Sequence, residues 1–196
     1  MEAIQSRGQP RAGWTSTLLD VDGDALGLLR RAAAGAGLSA LHGAALGARE
    51  GTLAMLTHAV GVPAALLAVC ALGVPALYIV LALFDAPLSP RAAVAAAVRG
   101  CASAGLVLAG LAPLAAVYVV GGDTMGGASM AGTLGLALGG LLGLRHFAAT
   151  LREALERSDS ATRLLAGLAQ IAFAVFAVVL AWRVWASLLP LIGGAA

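Results

Sequence analysis

The sequence contains no lysine and little charge of either sign. Its 196 residues hold 12 basic side chains, all arginine, and 10 carboxylates, so charged residues make up 11% of the chain. A soluble domain carries about 25%, and too few polar side chains remain here to clothe a water-facing surface. Cysteine occurs only as Cys70 and Cys101. Both fall in apolar stretches, where a thiol reads as a small buried hydrophobe before it reads as a redox or disulfide partner. The formal net charge of +2 gives no clustered basic face of the kind nucleic acid requires, so no nucleic-acid partner is expected. A cleavable signal is not expected either, because residues 1–20 lack a continuous apolar run.

What is present in excess is apolar surface. Hydrophobic residues make up 60% of the chain and the mean hydropathy is +0.93. They come in blocks of about 17–25 residues, the length that crosses a hydrocarbon core of about 30 Å as a helix. The pattern predicts an all-α, polytopic membrane helix bundle in a bacterial-type inner membrane, with the lipid bilayer as its first partner. Four spans stand out, at 61–84, 101–120, 127–144 and 164–188. A fifth candidate, 28–48, is mostly alanine and glycine, and arginine placement decides whether it crosses.

Arginine accumulates on the cytoplasmic side because positive loops resist translocation. With four spans, Arg7, Arg11, Arg30, Arg31, Arg49 and Arg183 share one side and Arg91, Arg99, Arg145, Arg152, Arg157 and Arg163 the other, which leaves no orientation signal. With 28–48 crossing, ten arginines face two. Five transmembrane helices are therefore expected, with the N-terminus cytoplasmic and the C-terminus outside. Residues 1–24 form a polar cytoplasmic tail, and Asp24 is placed to cap the first helix. Residues 25–196 form a single membrane-embedded domain.

Finer features follow from this topology. Arg30 and Arg31 lie where long side chains snorkel to inner headgroups. Trp182, Arg183 and Trp185 anchor the outer end of span five as an aromatic belt does. Residues 145–163 read as a cytoplasmic amphipathic connector helix, with Leu151 and Leu155 on one face. Residues 49–60 read as a short outer helix, and 91–99 as a helix on or running into the inner surface.

The most specific pattern is steric. Gly135, Gly139 and Gly143 line one face of span four, and Gly35, Ser39, Gly43 and Gly47 line one face of span one. Small residues let helix backbones approach closely in lipid. The two faces are expected to pack on each other, or one of them to pair between protomers as a homo-oligomer seam. Pro75 and Pro113, inside spans two and three, are expected to kink their helices.

No carboxylate falls inside a predicted span, so neither ion-coupled transport nor acid–base catalysis is expected. His42 and Gln170 are the strongly polar side chains at mid-membrane depth, and could hydrogen-bond across the bundle or form a polar station in a small channel. Three apparent motifs fail. GGAS at 126–129 resembles an intramembrane serine-protease loop, but Met130 stands where glycine should follow and His146 falls in the connector. DVDGD at 20–24 opens like a calcium loop, yet Ala25 and Arg31 occupy its glycine and glutamate positions. His42, His58 and His146 fall at different depths, so no metal is expected, and no cofactor or enzymatic activity is assigned.

In the third span, GLVLAGLAP places Gly105 eight residues before Pro113. With the five-span topology, this resembles the Yip1-type membrane proteins and the bacterial polytopic proteins grouped with them. Leu106 replaces the aromatic that commonly follows the glycine, and the acidic DLYGP-like motif of eukaryotic members is absent before span one. The resemblance implies a non-catalytic scaffold or adaptor that acts through helix packing and an unidentified cytoplasmic or membrane protein partner. The trafficking role and Rab-type GTPase partners of eukaryotic members depend on the absent tail motif.

Overall fold

A computed structural model describes residues 25–84, 86, 88–122, 126–156 and 158–188. Within them the chain is all-α, with α1 (Ala25–Leu46), α2 (Thr52–Leu83), α3 (Pro90–Gly121), α4 (Gly126–Ala154) and α5 (Ser160–Leu188). The tail with its expected cap Asp24, and the residues after Leu188, lie outside the described residues. The helices α2, α3, α4 and α5 are long and apolar enough to cross a membrane. Helix α1 does not reach that standard: Arg30 and Arg31 sit in its first third, and alanine and glycine dilute the rest.

Three expected boundaries are corrected. The 49–60 segment is no separate outer helix, because Thr52 already begins α2. The 91–99 segment is the first part of α3, started by Pro90 at its first position and by Ser89, whose hydroxyl accepts from the Ala92 N–H at 3.1 Å. The 145–163 connector is not a helix of its own either. Helix α4 runs on to Ala154, and Leu151 and Leu155 are buried beside Ala93 and Ala96 of the α3 extension. Each overhang gives the other an apolar face to cover, so neither helix has cause to break at the membrane edge. At 32 residues, α2 and α3 each reach about 48 Å, well beyond a hydrocarbon core of about 30 Å.

Pro63 and Pro75 lie inside α2, and Pro113 inside α3, with helix on both sides of each. A tight turn joins α1 to α2, where Gly51 takes φ 101°, a value that L side chains rarely adopt. Close approaches give the helix directions. Gly43 meets His58 and Gly47 meets Met55, so α1 and α2 are antiparallel. Gly35 meets Ala102 while His42 lies beside Leu108, so α1 and α3 run parallel. Gly143 meets Gly100 and Gly139 meets Ala104, which makes α3 and α4 antiparallel. Helix α5 packs chiefly on α2, where Phe173 and Phe176 reach Gly73, and touches α4 only lightly.

The five helices thus alternate in direction. Arg30, Arg31, Arg91, Arg99, Arg145, Arg152 and Arg163 gather at one end of the bundle, and Arg49 and Arg183 at the other. Two apolar clusters fill the bundle toward its ends. Val74, Leu77, Leu81, Ala96, Phe147 and Leu151 belong to the arginine-rich end, and Leu46, Val62, Leu108, Ala115 and Val119 to the other. Small residues and His42 lie between them.

Candidate functional site

The region of closest helix approach is where α1, α3 and α4 meet. A Cβ on Gly35 would come within 2.9 Å of the Ala102 Cα, and one on Gly105 would collide with the Gly35 carbonyl. On α4, a Cβ at Gly143 would stand 2.8 Å from the Gly100 carbonyl oxygen, and one at Gly139 3.0 Å from Leu108. Ser39 is fully buried and returns its hydroxyl to the Ala36 carbonyl at 2.8 Å, which satisfies it within its own helix. The expected direct zipper between spans one and four is corrected. The α1 face is taken by α2 (at Gly43 and Gly47) and by α3 (at Gly35), while Gly139 and Gly143 of α4 also pack on α3. Both glycine faces are covered within one chain. The face they share is on α3, where Gly100, Ala102, Ala104 and Gly105 form a two-sided small-residue surface that the sequence reading did not single out.

His42 is the direct link between α1 and α4. The Nε2 side of its ring lies against Gly135, where a Cβ would strike it, and the Leu108 carbonyl of α3 faces it. Only 1% of the residue is exposed, and neither ring nitrogen has a partner in hydrogen-bond geometry. The anticipated bond to Gln170 is therefore not formed. Gln170 is on α5, which packs chiefly on α2, and lines a groove that does not include His42. His42 acts here as a buried spacer whose ring leaves no room for a Cβ at position 135.

A second polar arrangement links α3 to α4 toward the arginine-rich end. The Arg99 guanidinium donates to the Thr150 hydroxyl at 3.2 Å, and Thr150 donates to the His146 carbonyl at 3.0 Å. Arg99 also stands 3.9 Å from the exposed Glu153 carboxylate. One turn along, Ser103 Oγ lies 3.0 Å from His146 Nδ1, which is itself 2.9 Å from the Leu142 carbonyl oxygen. A serine beside a histidine resembles a nucleophile and its base, but the geometry assigns otherwise. The Leu142 carbonyl can only accept, so Nδ1 carries the proton. The same nitrogen then has no lone pair with which to activate Ser103. The arrangement is a ladder of interhelical hydrogen bonds, and it corrects the placing of His146 in a connector. Its signal was available in the sequence, as Arg99 and Ser103 four apart and His146 and Thr150 four apart, but pairing them required α3 and α4 to be in register.

The remaining side chains sit apart. Among the described residues, no three His, Cys, Asp or Glu side chains converge as metal ligands. The Cys70 and Cys101 sulfurs are 2.7 Å apart between α2 and α3. Arg49, in the turn after α1, donates to the Gly122 carbonyl just past α3. Trp182 and Arg183 are exposed near the arginine-poor end of α5, and Trp185 follows on the same helix. Arg30 is exposed and Arg31 half-buried at the opposite end. Outside the apolar helices, the Asp159 carboxyl is held below the usual carboxylate range, first by the Thr162 hydroxyl and then by the N–H groups of Thr162 and Ala161. It caps the start of α5.

The fold and these contacts define a class: an α-helical bundle with four helices able to cross a membrane. No protein-family model, curated protein or solved structure matches the chain.

Proposed function

We propose that the chain is a five-span inner-membrane scaffold, N-terminus cytoplasmic, whose closed α1–α3–α4 unit holds α2 and α5 ready for lipid and protein partners. The observation that carries this reading is the use of buried polar groups. Ser103, His146, Thr150 and Arg99 bond to one another or to backbone, and His42 is sealed by Gly135 and Leu108. The polar side chains of this ladder are spent chiefly on helix pairing and leave little to perform chemistry or to line a path for solutes.

Five crossings are supported by register. The buried stretch of α1 from Gly35 to His42 lies level with Ala102 to Leu108, deep within α3, so a bilayer that covers α3 also covers α1. Its low apolarity is tolerable because Leu28, Gly35, Ser39, His42 and Leu46 face neighbouring helices, and the outward positions include Leu26, Leu29 and Leu41. The arginine-rich end then becomes the cytoplasmic one. The Yip1-type resemblance supplies no partner here.

Reporter fusions at the two ends test the topology: opposite compartments are expected, and a common compartment overturns it. Photo-crosslinkers at the outward positions Val175, Val178 and Val179 of α5 test the scaffold. A protein adduct of one defined mass from neighbouring positions is expected in native membranes, and lipid adducts alone overturn the reading. Solute flux above empty proteoliposomes would point to a channel instead.

A further inference from the structure

Helices α4 and α5 are joined by a short connection, yet they do not zip together. Phe147 and Phe173 stack with ring centroids 5.1 Å apart. Beside that contact a groove of about 420 Å³ opens between the helices. This falls in the size range of ligand pockets, about 300–1,000 Å³. One wall is Leu141, Leu144, Arg145, Ala148 and Arg152 of α4, and the other is Arg163, Leu164, Gly167, Leu168, Gln170, Ile171 and Ala174 of α5.

The lining is ordered along its length. Counting outward from the connection, Arg152 stands level with Arg163, and Arg145 with Gln170 about 10 Å deeper, at 1.5 Å per residue. Below these the walls are wholly apolar. From Arg152 to Leu141, and from Arg163 to Ala174, the groove runs about 16 Å, half of a hydrocarbon core of about 30 Å. Its depth is that of one leaflet.

Two further facts point to an anionic occupant. The lining holds three arginines and no carboxylate. The nearby acids are engaged elsewhere or lie outside the groove: Glu153 faces Arg99, Asp159 caps α5, and Glu156 is not part of the lining. Gln170 is 8% exposed and makes no hydrogen bond with any described residue, though it lines the groove. Its amide atoms keep accessible area, so their hydrogen-bonding capacity is free for an occupant of the groove.

We propose that this groove binds one anionic phospholipid of the arginine-rich leaflet. Arg152 and Arg163 clamp its phosphate, Gln170 and Arg145 meet the ester region, and one acyl chain lies along Leu141, Leu144, Leu168 and Ile171. The geometry suits a lipid better than a free anion, because most of the lining is apolar and follows the direction of an acyl chain. The lipid also completes a pair of helices that do not complete each other.

Native mass spectrometry of the full chain, released from nanodiscs of mixed phosphatidylglycerol and phosphatidylcholine, tests this. One retained phosphatidylglycerol per chain is expected. The Arg152→Gln/Arg163→Gln double variant should bind it more weakly by on the order of 10- to 30-fold, given about 1 kcal/mol per arginine near a membrane surface. Gln170→Leu should weaken it by a smaller factor, and Arg30→Gln, at the same end on α1, should leave it unchanged. Thermal unfolding in detergent, with helicity checked for every variant, should show stabilisation by added phosphatidylglycerol and none by inorganic phosphate. Equal retention of the two lipids, undiminished retention by the folded double variant, stabilisation by phosphate alone, or a groove closed by a second copy in a lipid-free dimer would each overturn the proposal.

Discussion

Two helical hairpins share α4, and they differ sharply. The α3–α4 hairpin is closed to backbone contact, while the α4–α5 hairpin stands open around a groove. The cause is visible on the two faces of α4. Toward α3 it presents Gly139, Gly143, His146 and Thr150, small residues followed by polar ones that find partners. Toward α5 it presents Leu141, Leu144, Arg145, Ala148 and Arg152, whose bulk and like charge hold the helices apart. In lipid the hydrophobic effect does not drive helices together, so contact follows from steric fit and hydrogen bonding. Apolarity alone selects no partner.

The largest test of this contrast is a single methyl group. Gly105→Ala should destabilise the bundle by about 1–3 kcal/mol or more, since its Cβ would meet the Gly35 backbone. Gly110→Ala on the same helix meets nothing within 4 Å and should stay within about 0.5 kcal/mol. Denaturant titration in micelles measures both, and equal costs would break the comparison.

His42 allows a sharper form of the test. His42→Ala removes a fully buried ring without breaking a hydrogen bond and should cost about 2–4 kcal/mol as a cavity. Gly135→Ala should also destabilise, and the double variant should cost less than the sum by about 0.5–3 kcal/mol, because the new methyl enters space that the ring has vacated. Strict additivity would show that the two do not touch. The polar ladder should contribute less: a cycle of Ser103→Ala and His146→Ala is expected to give a coupling of about 0.6–1.7 kcal/mol, the range for hydrogen bonds between helices in a membrane.

The smallest effects belong to the open hairpin. Gly167→Ala in the groove wall, where a Cβ meets nothing within 4 Å, should change stability in lipid-free detergent by less than about 0.5 kcal/mol. At the α5 start, the folded Asp159 binds its proton more weakly than the unfolded chain does. Its capping is therefore fully present above the ordinary carboxylate value of 3.8 and is lost as the pH falls through the lower folded value. The protection of the Ala161 and Thr162 amides, measured against the intrinsic exchange rate at each pH, should fall in acid in the wild type, and Asp159→Ala should show low protection at every pH.

Much of this architecture was legible before folding. Apolar block length located α2 through α5, and the four-residue spacing of Gly35, Ser39, Gly43 and Gly47 marked a real contact face. The partners of those faces were not legible. Glycine spacing shows that something comes close without showing what, and the answer lay on α3, whose Gly100, Ala102, Ala104 and Gly105 follow no single four-residue repeat. His42 and Gln170 were paired on depth alone. Depth is one coordinate of three, and the helix of Gln170 packs chiefly on α2.

Composition and periodicity by themselves determined that this chain is helical, apolar and marked with arginine, because block length and local spacing are properties of a segment and its solvent. The tertiary structure alone decided that α3 lies at the centre, that Ser103 meets His146, that the overhangs of α3 and α4 cover each other, and that α4 and α5 leave a groove. Those outcomes depend on which surfaces fit between segments far apart in the sequence, and complementarity of that kind has no signature in either segment taken singly.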